Sequence, residues 1–132
     1  MSTAGLPTIL VVDDEPVELQ FISLVLGRAG YEVIETASGP SALTVLETRS
    51  DVVLVIADCR MPYMSGPRLL SQIAVRWPDI KLIATSGGQE PDDLPDEATF
   101  LQKPYRPSVL TRHVDGRLKR GQEAPSQWRS SL

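Results

Sequence analysis

At 132 residues the chain is about one domain long, and a globule of this size buries roughly two-thirds of its unfolded surface without staples. Its 42% apolar and 23% charged residues are ordinary globular usage, and the net charge of −4 argues against nucleic acid as the main ligand, since phosphate backbones are met with surplus Lys and Arg. One cysteine, Cys59, excludes an internal disulfide, and with the one histidine, His113, it excludes a Cys/His zinc site.

Met1 to Pro7 lacks the basic and apolar regions of a secretory signal. Thr8 to Val12 is a β-branched run that stops at Asp13-Asp14-Glu15-Pro16. A strand covered on both faces reads as such a continuous apolar run. Pro16 suits a helix's first turn, and Val17, Leu19, Phe21, Ile22, Val25 and Leu26 carry an apolar stripe toward Gly30, a C-terminal glycine. Tyr31 to Ala37 alternates as a second strand, and Pro40 opens a helix to about Thr48. Val52 to Ala57 is the most apolar strand, far short of the roughly 20 residues that span a bilayer, and Asp58 ends it. Met61 to Gly66 is a loop by its Pro and Gly content. Pro67 to Trp77 is helical, with Leu69, Leu70, Ile73, Ala74 and Trp77 at core-facing spacing. Lys81 to Thr85 and Thr99 to Gln102 are strands four and five. Pro107 to Lys119 is the last helix, with Val109, Leu110, Val114 and Leu118 inward. Residues 8–120 form the expected domain, with residues 1–7 and 121–132 as flexible termini.

Strand and helix alternate throughout, which predicts a parallel sheet with helices on both faces and a ligand site beyond the carboxyl ends of the strands. Those ends carry Asp13 and Asp14, then Asp58, then Thr85-Ser86, then Lys103-Pro104. Parallel strands bring these groups to one rim. Two unit charges 4 Å apart repel by several kcal/mol at intermediate dielectric, about 4 at an effective constant of 20. Either some carboxylates are protonated or a cation holds them together. An all-oxygen cluster suits Mg²⁺, Lys103 adds a positive charge and Ser86 a hydroxyl donor. These are the parts needed to put a phosphoryl group on a carboxylate.

Ile9-Leu-Val-Val-Asp-Asp-Glu-Pro16, Val55-Ile-Ala-Asp-Cys-Arg-Met-Pro62 through Gly66, and Phe100-Leu-Gln-Lys-Pro-Tyr105 together resemble the receiver domain of two-component response regulators. The resemblance covers about Thr8 to Lys119. With no residues left for an output domain, the chain looks like a stand-alone receiver similar to the chemotaxis regulator. The resemblance implies a doubly wound, flavodoxin-like α/β fold with sheet order 2-1-3-4-5. It implies that Asp58 accepts phosphate from a histidine kinase or phosphotransfer protein, and that Mg²⁺ is held by Asp13, Asp14, Asp58 and the backbone carbonyl of Arg60. Lys103 would pair with the phosphoryl group, Ser86 would close on it, and Phe100 stands where the family carries a switch aromatic. A cis peptide at Lys103-Pro104 is implied as well.

Simpler readings stand beside these. An Asp-Asp pair after a strand is ordinarily a turn or helix cap, and Lys103 alone would be a solvated lysine. Thr85 would pack toward the core beneath Ser86, and Phe100 could be plain core. Cys59 reads as a small apolar residue and His113 as a helix-surface residue. Arg60 could reach over Asp58 and alter the loss of phosphate. Arg112, Arg117, Lys119 and Arg120 complement the last helix's dipole. A rival class is the aspartate phosphatase of haloacid dehalogenase type, which needs Asp-x-Asp where this chain has Asp13-Asp14-Glu15. A pseudo-receiver that takes no phosphate is a third reading. Flavodoxin and P-loop readings lack their phosphate loops.

The chain departs from the family between Ser86 and Thr99. A full helix normally lies there, but Gly87 to Ala98 holds two prolines, two glycines, five acidic residues and one large apolar side chain, Leu94. No stripe could hold a helix to the sheet, and Pro95 costs about 3 kcal/mol in a helix interior. The fourth helix is expected to be short or missing. In the family that helix joins a face used for dimerisation, so a cytoplasmic monomer or weak dimer is expected, with no nucleic-acid or membrane partner.

Overall fold

The computed structural model describes residues 5–119; Arg120 and the tail from Gly121 lie outside the described residues. Five parallel strands alternate with helices except between the fourth and fifth: β1 Thr8–Val12, α1 Pro16–Arg28, β2 Glu32–Thr36, α2 Gly39–Thr48, β3 Val52–Asp58, α3 Gly66–Arg76, β4 Lys81–Ser86, β5 Ala98–Gln102 and α4 Pro107–Leu118. The sheet order is β2-β1-β3-β4-β5, as the resemblance implies. No helix among the described residues is long and apolar enough to cross a membrane.

Alternation along the strands divides the core into two layers. Leu10, Val12, Val55, Ala57, Leu82 and Ala84 point to the face covered by α2 and α3, where they meet Leu46, Leu69, Leu70 and Ile73. Ile9, Val11, Leu54, Ile56, Ile83 and Leu101 point to the opposite face and meet Leu19, Ile22 and Leu26 of α1 and Leu110 and Val114 of α4. Double coverage is why β1 and β3 read as unbroken apolar runs.

Each helix opens with a proline in its first turn, where no intrahelical partner for the lost N–H exists: Pro16, Pro40, Pro67 and Pro107. Ser38 and Ser65 cap α2 and α3 by accepting from the N–H groups of Ser41 and Arg68, each at 3.3 Å. Gly30 follows α1 at φ 97, the left-handed conformation that ends a helix.

Three expectations need correction. Val17 is 77% exposed: the buried stripe of α1 is Leu19, Ile22 and Leu26, while Val17 and Leu24, seven residues apart, face outward. His113 is half-buried and shares a 2.9 Å hydrogen bond with Thr99 of β5. Arg117 does more than meet a helix dipole, since its Nη2 donates to the Glu97 carbonyl at 2.9 Å. The missing helix is confirmed: residues 87–97 contain turns and bends but no helix.

Candidate functional site

The register levels the strand ends. Val12 lies opposite Thr36 and Ala57, Asp58 opposite Thr85, and Ser86 opposite Gln102. Backbone bonds carry the ladder one step further, from Asp13 N–H to Thr36, Cys59 N–H to Thr85, and Lys103 N–H to Ser86, at 3.1, 2.8 and 2.8 Å. Asp13, Asp58, Ser86 and Lys103 therefore leave the sheet together, which is how residues 90 positions apart become neighbours.

Carboxylate oxygens of Asp13, Asp14 and Asp58 lie within 4.8 Å of one another. Asp13 is 1% exposed and Asp58 9%, while Asp14 faces solvent. The Lys103 ammonium donates to Asp58 Oδ1 at 3.0 Å and to Asp13 Oδ2 at 3.5 Å, and its third acidic neighbour is Glu18 Oε1 at 3.6 Å. Burial opposes the lysine's charge, yet Asp58, Asp13 and Glu18 together hold its pKa above the ordinary value. Burial raises the Asp13 carboxyl, with the Glu15 N–H and Lys103 pulling the other way. Asp13 Oδ1 also accepts from that N–H at 3.0 Å, which is the contact expected of the simple turn reading.

Ser86 is 4% exposed, and its hydroxyl accepts from the Gly88 N–H at 3.0 Å. Its neighbour Thr85 is buried with its hydroxyl unpaired, as a residue turned into the core. Asp14, Asp58, Arg60, Ser86, Gly88 and Lys103 line a cleft of about 500 Å³. The Arg60 guanidinium crosses Gly88 so closely that an added Cβ would sit 3.2 Å from its Nη2 and 3.7 Å from Ser86 Oγ. Phe100 lies outside this cleft, half-buried against the α2/α3 layer. Cys59 is buried beside Asp58, and burial pushes its thiol up to about 11, which fits the apolar reading. The Lys103–Pro104 peptide is cis.

Two contributors escaped the sequence reading. Glu18 reaches Lys103 from the first turn of α1, and its place one turn past the Asp pair is a usable signal. Gly66 lets α3 press onto the end of β3, because an added Cβ would lie 2.3 Å from the Asp58 carbonyl oxygen.

The fold, the aligned strand ends and the acid-lysine cluster are those of a receiver architecture, and residues 9–115 match the response regulator receiver domain. The chain belongs to this family of two-component systems. It is 37% identical to the sensor kinase CckA of Brucella abortus across 89% of this chain and 13% of that protein. The two-component response regulator ORR3 of Oryza sativa is 33% identical across 80% of this chain and 86% of its own length. A solved receiver domain from Clostridium thermocellum superposes with a TM-score of 0.80 at 28% identity, covering 89% of this chain and 98% of that one. Membership in this family leaves the haloacid dehalogenase reading without support.

Proposed function

We propose that the protein is a cytoplasmic phosphoacceptor switch that acts through partner binding rather than as an enzyme on other substrates. Asp58 is the acceptor, and the donor is the phosphohistidine of a histidine kinase or phosphotransfer protein. The observation that carries this reading is the contact of Lys103 with Asp58 Oδ1 at 3.0 Å inside the acidic cleft. Lys103 holds one carboxylate oxygen, so the other is the nucleophile. It attacks phosphorus, the P–N bond breaks, and the imidazole leaves with the electron pair and takes up a proton. Lys103 and Ser86 then lie beside the new acyl phosphate as donors to its oxygens.

The donor set fits Mg²⁺: three clustered carboxylates with no thiolate or imidazole ligand among them, Asp14 and Asp58 facing the cleft. Asp13, Asp14, Asp58 and the Arg60 carbonyl would hold it. Bound there, it supplies positive charge to the phosphoryl oxygens. The gathering of Asp13, Asp14, Asp58, Ser86 and Lys103 supports the phosphoacceptor reading over the pseudo-receiver one. Ser86 is read as the group that closes on the phosphate, and Phe100 as the aromatic that follows.

Incubation with acetyl phosphate and Mg²⁺ tests the reading. Wild type should gain one phosphate group, while Asp58→Asn and wild type in excess EDTA should gain none. Labelling of Asp58→Asn at the wild-type rate would refute the assignment.

A further inference from the structure

In the loop between β3 and α3, the Met64 N–H donates to the Pro62 carbonyl at 2.8 Å and closes a three-residue turn around Tyr63. Tyr63 sits at φ 72, a region that bulky L residues rarely adopt, and it is 90% exposed. Its neighbours impose this path. Met64 packs so closely on the start of α2 that a Cβ added at Gly39 would lie 2.7 Å from its sulfur. Gly66 fixes the other side through its approach to the Asp58 carbonyl. Glycine or asparagine would adopt the turn with less strain, so neither backbone nor core requirements explain a tyrosine. Strained positions held by their surroundings gather at functional sites, and exposed tyrosines anchor interfaces.

What covers Tyr63 follows from the depth of Asp58. The acceptor is 9% exposed, in a cleft lined also by Ser86 and Lys103. A protein-borne phosphohistidine reaches it only if the donor's surface lies over the loops at the carboxyl rim, the β3–α3 loop among them. Resting on the phosphoacceptor reading, we propose that Tyr63 is an aromatic anchor on which the protein carrying the phosphohistidine docks. Val17, in the first turn of α1 and 77% exposed, is a second apolar contact on the same rim.

Two phosphodonors separate this role from the chemistry. Phosphoramidate offers a P–N bond without a protein surface. The other donor is whichever autophosphorylated histidine kinase, from a panel, labels wild type fastest. Tyr63→Asn and Tyr63→Gly should be labelled by phosphoramidate at the wild-type rate and melt no lower than wild type. Their labelling by the kinase should slow by about tenfold or more, the scale of one lost aromatic anchor, and Tyr63→Phe should keep most of the wild-type rate. Kinase transfer to Tyr63→Asn at the wild-type rate would overturn the anchor. Equal slowing with both donors would overturn it too, by making Tyr63 part of the site's geometry. Failure of both donors to label wild type would overturn the phosphoacceptor reading itself.

Discussion

His113 shows how one residue's surroundings set a measurable property. Burial, and then the nearby Arg117, hold its pKa below the ordinary 6.5. The unfolded chain therefore binds a proton that the folded chain refuses. Stability from this group is fully present above about pH 6.5 and is lost as pH falls through the lower folded value. Urea unfolding at pH 7.5 and 5.5 should show this acid-side loss, and His113→Gln, which keeps a polar partner for Thr99, should reduce it. An unchanged pH dependence in His113→Gln would contradict the account. Gly66 offers a steric test. Gly66→Ala should destabilise by about 1–3 kcal/mol, the usual cost of overpacking, and should slow labelling of Asp58 because the intruding methyl meets the acceptor's own carbonyl. Denaturant midpoints check the first effect and acetyl phosphate labelling the second.

At the scale of elements, the segment between β4 and β5 runs without a helix. It is tied at its ends, by Ser86 Oγ to the Gly88 N–H and by Arg117 to the Glu97 carbonyl, and it carries five exposed carboxylates. Without helical bonds, amides of residues 89–94 should exchange with solvent far faster than those of β4. Protection there equal to that of β4 would show a folded element. This absence was legible in the sequence because prolines and a missing apolar stripe are local signals. So were the four proline-led helices and the doubly covered strands. Long-range pairings were not. Thr99 and His113 are 14 residues apart, and Arg117 lies 20 residues from Glu97, so neither contact leaves a local pattern. Val17 misled because apolar identity was read without its angle around α1. The core of the site was legible through its position at strand ends, whereas Glu18 and the turn at Tyr63 depend on helix phase and loop path.

For the whole molecule, parallel order turns separated motifs into one acidic cleft at the sheet's carboxyl edge. Because the folded chain gathers carboxylates that the unfolded chain disperses, Mg²⁺ should stabilise the protein. At a concentration 100 times Kd the gain would be about 2.7 kcal/mol, seen as a rise in Tm. Asp13→Asn should shrink that rise, and an undiminished rise would place the cation elsewhere. The central claim is the acyl phosphate on Asp58. Borohydride reduces such a group to homoserine, so peptide mass spectrometry of phosphoramidate-treated protein reads the site directly. The account predicts homoserine at position 58 and at no other aspartate; homoserine at Asp13 or Asp14, or at no position, would contradict it.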